Sequence, residues 1–157
     1  MKEQCGAKRQ FVTRSPEETR ALGAALAQQL RSGDVIACRG ELGAGKTCFI
    51  QGLVEGLGGS RPATSPTFVF MNHYQGRLPI AHIDAYRTGS LAEIIDLGVE
   101  EWLHGDGVTV VEWAEKLESL LHPRTIWVRI TGLGDEPREI ELDNVPESWK
   151  LQAGAPG

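Results

Sequence analysis

Gly40-Glu41-Leu42-Gly43-Ala44-Gly45-Lys46-Thr47 stands between an apolar run and a stretch with helical apolar spacing. Its three glycines let the backbone curl so that several N–H groups point into one concavity that suits an anion. Lys46 adds a cation with the reach to meet β- and γ-phosphates, and the Thr47 hydroxyl is a ligand for Mg²⁺. On the N-terminal side, Asp34-Val35-Ile36-Ala37-Cys38 reads as a short buried strand feeding the loop. On the other side, Cys48 to Leu57 places apolar residues as a helix leaving the loop would. Strand, loop and helix in that order is the context a phosphate-binding P-loop requires. The segment therefore predicts nucleoside triphosphate binding by an α/β protein.

The size of 157 residues, with 41% apolar and 24% charged residues, fits one globular domain that buries its core without disulfides or structural metal. The expected domain spans residues 1–157, with a core over about residues 10–142 and a frayed tail at 151–157. No run approaches the roughly 20 apolar residues of a membrane helix. Met1-Lys2-Glu3-Gln4-Cys5 lacks the apolar centre of a signal peptide, so a cytosolic location is expected. Cys5, Cys38 and Cys48 have no metal-like spacing, and the last two read as small core residues beside the loop. The net charge of −5 argues against strong autonomous RNA or DNA binding. Lys8, Arg9 and Arg14 form a modest basic cluster that a solvated face also explains. A protein partner suits this charge better.

Outside the loop, Gln10 to Thr13 predicts a strand. Ser15-Pro16-Glu17-Glu18 is a helix start, with Ser15 as N-cap, Pro16 at the first helical position and Glu18 at the capping-box position. The helix is expected to end near Ser32-Gly33. Residues 58–63 predict a loop, Phe68 to Tyr74 a strand, and Gln75-Gly76-Arg77 a hairpin turn into a strand over Leu78 to Arg87. So short a turn makes that pair antiparallel. The sheet is therefore expected to mix parallel and antiparallel strands, flanked by helices, in a single-domain P-loop NTPase. Ser90 to Leu97 predicts a short helix ended by Gly98, and Val99 to His104 a further helical turn. Val108 to Val111 predicts a buried strand, Ala114 to Leu121 a helix stopped by His122-Pro123, and Thr125 to Ile130 with Arg138 to Leu142 a terminal hairpin.

A P-loop needs a second acid for its metal, usually at the end of a buried strand. Two are available: Glu112 after Val108 to Val111, and Asp84 after Ile80-Ala81-His82-Ile83. Spacing does not choose between them. Glu112 follows the more apolar and hence more central strand, which favours it as the metal-side acid; capping of the next helix is its plain alternative. His82, Asp84 and Tyr86 alternate along a strand and share a face. That face meets either a site, with Asp84 acting at the nucleotide, or water. Arg87 is placed to meet phosphate or solvent. Thr64-Ser65-Pro66-Thr67 lies where P-loop proteins often carry a segment sensing the γ-phosphate, and a strand entry explains it equally. Trp102, Trp113, Trp127 and Trp149 read mainly as core or interface residues, with Trp113 set apart by its place next to Glu112.

Taken in order, Gly40 to Thr47, Ser65-Pro66-Thr67-Phe68, His82-Ile83-Asp84-Ala85-Tyr86-Arg87 and Val111-Glu112-Trp113 resemble the TsaE family, with Asp96-Leu97-Gly98 also fitting. These are the small P-loop ATPases of bacterial tRNA threonylcarbamoyladenosine biosynthesis. The resemblance covers about residues 10–142. It implies ATP or ADP and Mg²⁺ as cofactors, with Leu42, Gly43, Ala44, Gly45, Lys46 and Thr47 on the phosphates. It further implies Thr47 and Glu112 as Mg²⁺ ligands, Asp84 with Lys46 as the catalytic groups, and Ser65, Pro66 and Thr67 as a switch-like loop. Residues 15–19 and the turn near Gly134 would border the adenine. Ala85 stands where the family has a larger apolar residue, and Ala114-Glu115 follow Trp113 where proline is common; neither departure touches an expected ligand. The implied partners are the TsaD transferase and the TsaB subunit, whose complex this chain would reset by hydrolysing ATP without transferring the threonylcarbamoyl group.

Two other classes compete. A P-loop kinase for a small metabolite should carry an arginine-rich lid, and the chain has no such insertion. A nucleotide-gated binding module would bind with negligible turnover. A guanine-specific GTPase is disfavoured because no Asn-Lys-x-Asp segment is present to read the base.

Overall fold

Val35, Ile36, Ala37 and Cys38 are all buried, and so is every residue from Val108 to Glu112. Unbroken apolar runs of this kind belong to strands covered on both faces. A computed structural model of the chain describes residues 7–40, 46–59, 71–84, 92, 98–103, 105–132, 137–146, 149 and 151. Strand β2 (Val35–Gly40) lies between β5 (Val108–Glu112) and β6 (Ile126–Thr131) and is parallel to both. The next strand outward from β5 is β4 (Pro79–Asp84), again parallel, and then β3 (Met71–Gln75), antiparallel. Beyond β6 come β7 (Arg138–Val145) and β1 (Ala7–Thr13), each antiparallel to its neighbour. The described residues form one seven-stranded sheet in the order β1-β7-β6-β2-β5-β4-β3. Its parallel centre and antiparallel edges are the mixed sheet expected from the hairpin at Gln75 to Arg77.

Helix α1 (Pro16–Ala27) starts as its sequence dictates: the Ser15 hydroxyl accepts from the Glu18 N–H at 3.1 Å. Glu18 reaches one residue further back than a standard capping box, accepting from the Arg14 N–H at 2.7 Å. The helix stops at Ala27, earlier than Ser32-Gly33. Its last turn tightens through Gln29 to Leu26 and Leu30 to Ala27 bonds, and the Arg77 guanidinium donates to the Ala27 and Leu30 carbonyls. Gly33 does turn the chain, with φ +92°, but after this irregular stretch rather than at the helix end.

Helix α2 (Lys46–Gly56) packs on α1 with very close backbone approach. A Cβ at Gly52 would run into the Arg20 carbonyl, and one at Gly23 into the Phe49 carbonyl. The two helices cover one face of the sheet, where Leu22, Leu26, Phe49, Ile50, Leu53 and Ile36 form the larger core. Each such side chain contributes about 1.5–3 kcal/mol by leaving water. The other face carries a smaller core of Val35, Ala37, Ile83, Leu103, Val111 and Ala114. It is covered by α3 (Val99–Leu103) and by a 3-10 helix over Ala114–Leu120. The latter replaces the α-helix expected over Ala114 to Leu121. Trp113 enters it in the left-handed region (φ 57°, ψ 41°) and Leu121 leaves it extended before His122-Pro123, so only a short segment remains.

The expected helix over Ser90 to Leu97 lies outside the described residues except for Ala92, as do strand residues 68–70 and 85–87, Gly134 and the tail 152–157. Among the described residues, no helix is long and apolar enough to cross a membrane.

Candidate functional site

The phosphate-loop context is present at both flanks: β2 ends at Gly40 and α2 begins at Lys46. Leu42, Gly43, Ala44 and Gly45 lie outside the described residues, as do Ser65, Pro66 and Thr67. Lys46 opens the helix backbone, and Thr47 in its first turn is exposed. Phe49 and Ile50, just inside, are buried and anchor that helix end against the sheet. An 11-residue helix directs its first unpaired N–H groups and the positive end of its dipole toward the space before Lys46, which suits phosphate.

Both candidate acids reach the same edge. Asp84 is the last residue of β4 and Glu112 the last of β5, and they are register partners across the parallel pair. Glu112 is also the partner of Cys38, two residues before β2 ends. Register partners share a face, and that face is the one occupied by Ile36, Cys38, Val110 and the two helices α1 and α2. Asp84 and Glu112 therefore project on the α2 side of the sheet, at the carboxyl ends of its parallel strands. In open α/β sheets this is where ligands bind. Both are nearly buried, at 8% exposure each. Two carboxylates on adjacent strands, with backbones about 5 Å apart, create a site of negative charge matched to a cation.

His82, two residues before Asp84 on the same face, is 1% exposed. Its Nε2 lies 2.6 Å from Glu112 Oε2. The polar residues of β4 therefore face the interior rather than bulk solvent. The partnership of His82 with Glu112 was not legible in the sequence, since 30 residues separate them and only the β4–β5 register brings them together.

Other expected positions have structural duties. Thr19 is buried, its hydroxyl 2.6 Å from that of Thr13, and Ser15 caps α1. Trp127 carries the Arg39 guanidinium 4.1 Å above its ring on the face opposite the acids, and Trp102 stacks 4.5 Å from His73. Trp149 is buried in the larger core. Trp113, half-buried, packs against the smaller core and turns the chain directly after Glu112. Away from this edge, Asp34 at the opening of β2 has its pKa raised by burial, opposed by the Arg31 N–H bond and by the charges of Arg31 and Arg124.

The donor set fits magnesium. Glu112 keeps its second oxygen beyond the His82 contact, and Asp84 stands beside it. Among the described residues no group of three or more His, Cys, Asp and Glu side chains could hold a metal alone. Mg²⁺ is usually held by one or two carboxylates together with substrate phosphates, and Asp84 and Glu112 offer two carboxylates at this edge.

A parallel-centred sheet whose second strand runs through a Gly-Lys-Thr loop into a covering helix defines the fold of a P-loop NTPase. The crystal structure of Bacillus subtilis YdiB matches it with a TM-score of 0.75 at 35% identity, over 94% of this chain and 92% of that one. The family model described as threonylcarbamoyl adenosine biosynthesis protein TsaE matches residues 13–140, and the chain belongs to the TsaE family. The tRNA threonylcarbamoyladenosine biosynthesis protein TsaE of Treponema pallidum is 42% identical over 131 residues, spanning 83% of this chain and 97% of its own length. The protein of the same name from Bacillus subtilis is 41% identical over 140 residues, spanning 88% and 87%.

Proposed function

We propose that this chain is a Mg²⁺-dependent ATPase that serves threonylcarbamoyladenosine formation on tRNA by acting on a TsaB–TsaD complex. The observation that carries this is the meeting of Asp84 and Glu112 at the carboxyl edge of β4 and β5, on the α2 face. The bond between His82 and Glu112 ties that edge together. Membership of the TsaE family supports the biosynthetic setting.

In this assignment Leu42, Gly43, Ala44, Gly45, Lys46 and Thr47 cradle the phosphates of ATP or ADP. Thr47 and Glu112 are the protein ligands of Mg²⁺. When bound with nucleotide, the ion would neutralise charge on the β- and γ-phosphate oxygens. Asp84, beside Glu112, orients the attacking water at the γ-phosphate, and Lys46 supplies a further positive charge there. Ser65, Pro66 and Thr67 form the segment that senses whether the γ-phosphate is present. The acidic net charge of −5 fits action on proteins rather than on tRNA directly, in the cytoplasm.

The test is ATP turnover by the purified chain alone and in a titration with the TsaB–TsaD complex. Turnover is expected to be slow alone and to rise on addition of the complex, because a partner-dependent ATPase completes its site only when bound. A rate indifferent to the complex would count strongly against the role. Transfer of labelled γ-phosphate to a small acceptor would instead make the chain a kinase.

A further inference from the structure

We propose that His82 is the positioning residue of the metal-side acid: its Nε2–H holds Glu112 Oε2, leaving the other carboxylate oxygen aimed for Mg²⁺. The inference rests on the nucleotide assignment above and extends it to a residue that assignment leaves without a role.

Three observations converge. The bond is short, 2.6 Å, and both groups are nearly out of water, at 1% and 8% exposure. A glutamate at the end of a strand otherwise has several open rotamers, so one buried donor decides which way its carboxylate faces. The second observation is which ring nitrogen is used. Nε2, rather than Nδ1, is the ring nitrogen that meets the carboxylate. His82 Nδ1 has no hydrogen-bond partner among the described residues. The third is register. His82 and Asp84 stand on one strand face, and Glu112 is the neighbour of Asp84 across the pair. One donor from β4 therefore reaches the acid of β5 beside its register partner Asp84.

The nitrogen that matters can be tested by shape. In His82→Gln the amide nitrogen reaches the place of Nε2. In His82→Asn it reaches only the place of Nδ1. His82→Phe keeps the ring without a donor. The measurement is calorimetric titration of ADP into each folded variant, in excess chelator and across a Mg²⁺ series. Chelated ADP affinity should stay within about twofold of wild type in all three. The Mg²⁺ concentration for half-maximal enhancement should rise about tenfold to a hundredfold in His82→Phe and His82→Asn, the usual cost of losing a group that orients a metal ligand. His82→Gln should recover most of it. In a Glu112→Ala background, His82→Phe should add no further change, because the interaction it removes is already gone.

Unchanged Mg²⁺ dependence in His82→Phe, with wild type responding normally, would overturn the positioning role and leave the nucleotide assignment standing. Equal losses in His82→Gln and His82→Phe would overturn it too, as would additive effects in the Glu112→Ala background. If His82→Phe does not fold, the contrast between the Gln and Asn variants decides. Wild type that binds ADP without any Mg²⁺ dependence would remove the Mg²⁺ assignment and this inference together, whereas wild type that binds no ADP would remove the nucleotide assignment as well.

Discussion

If the proposed roles hold, Lys46 and Glu112 should fail in different ways, because one would carry a cation to the phosphates and the other an oxygen to the metal. Lys46→Ala should weaken ATP binding about tenfold to a hundredfold, the cost of a charge-assisted contact, and the loss should persist in chelator. Glu112→Gln should leave chelated ADP binding unchanged while lowering Mg²⁺-dependent turnover about a hundredfold. Full activity in that variant would remove Glu112 from the metal. At the opposite end of β2, burial raises the pKa of Asp34. A carboxyl whose folded pKa is raised contributes stability below its unfolded value, about 3.8, and loses it as pH climbs through the folded value. At neutral pH the ionised Asp34 therefore works against the fold. Asp34→Asn keeps an oxygen for the Arg31 N–H, which now donates at 2.7 Å. It should be slightly more stable than wild type in urea at pH 7, with the difference vanishing below pH 3.8. A variant less stable at pH 7 would show that the arginine charges outweigh burial.

At the scale of elements, helix α2, which the proposed function places at the phosphates, owes its position to α1. Gly52 sits against the Arg20 carbonyl with no room for a methyl group, so Gly52→Ala should cost about 3 kcal/mol by forcing the helices apart. Its signature would be a lowered thermal midpoint together with weakened nucleotide binding, as the start of α2 shifts. Arg77, at the β3–β4 turn, ties down the end of α1 through two carbonyls at 2.6 and 3.0 Å. Arg77→Met should cost about 1 kcal/mol of stability while sparing ADP affinity; a large loss of affinity would mean that the turn communicates with the site. The elements were legible to different degrees. The cap at Ser15 and the hairpin at Gln75 to Arg77 are local chemistry and were readable. The end of α1 was not, because it is decided by an arginine 50 residues away. The segment after Trp113 was readable as helical but not as 3-10, since no composition rule announces a left-handed tryptophan at its entrance.

For the whole molecule, charge and topology set what it meets. A chain with net charge −5 should not retain tRNA by itself at about 150 mM salt, a condition that removes most phosphate-driven binding to weakly basic proteins. Electrophoretic retention of free tRNA under those conditions would contradict an indirect role. The sequence by itself determined the β2-loop-α2 unit, the antiparallel hairpins at the edges of the sheet and the two acids worth considering. Those depend on neighbours in the chain: glycines that permit a tight curl, a turn too short for a crossover, apolar runs that end in a carboxylate. Only the tertiary structure decided that Asp84 and Glu112 stand side by side on the α2 face, and that His82 takes hold of Glu112. Strand order and register come from the packing of the whole sheet, where a shift of one residue turns every side chain to the opposite face. No local pattern in β4 or β5 records which strand lies next to which.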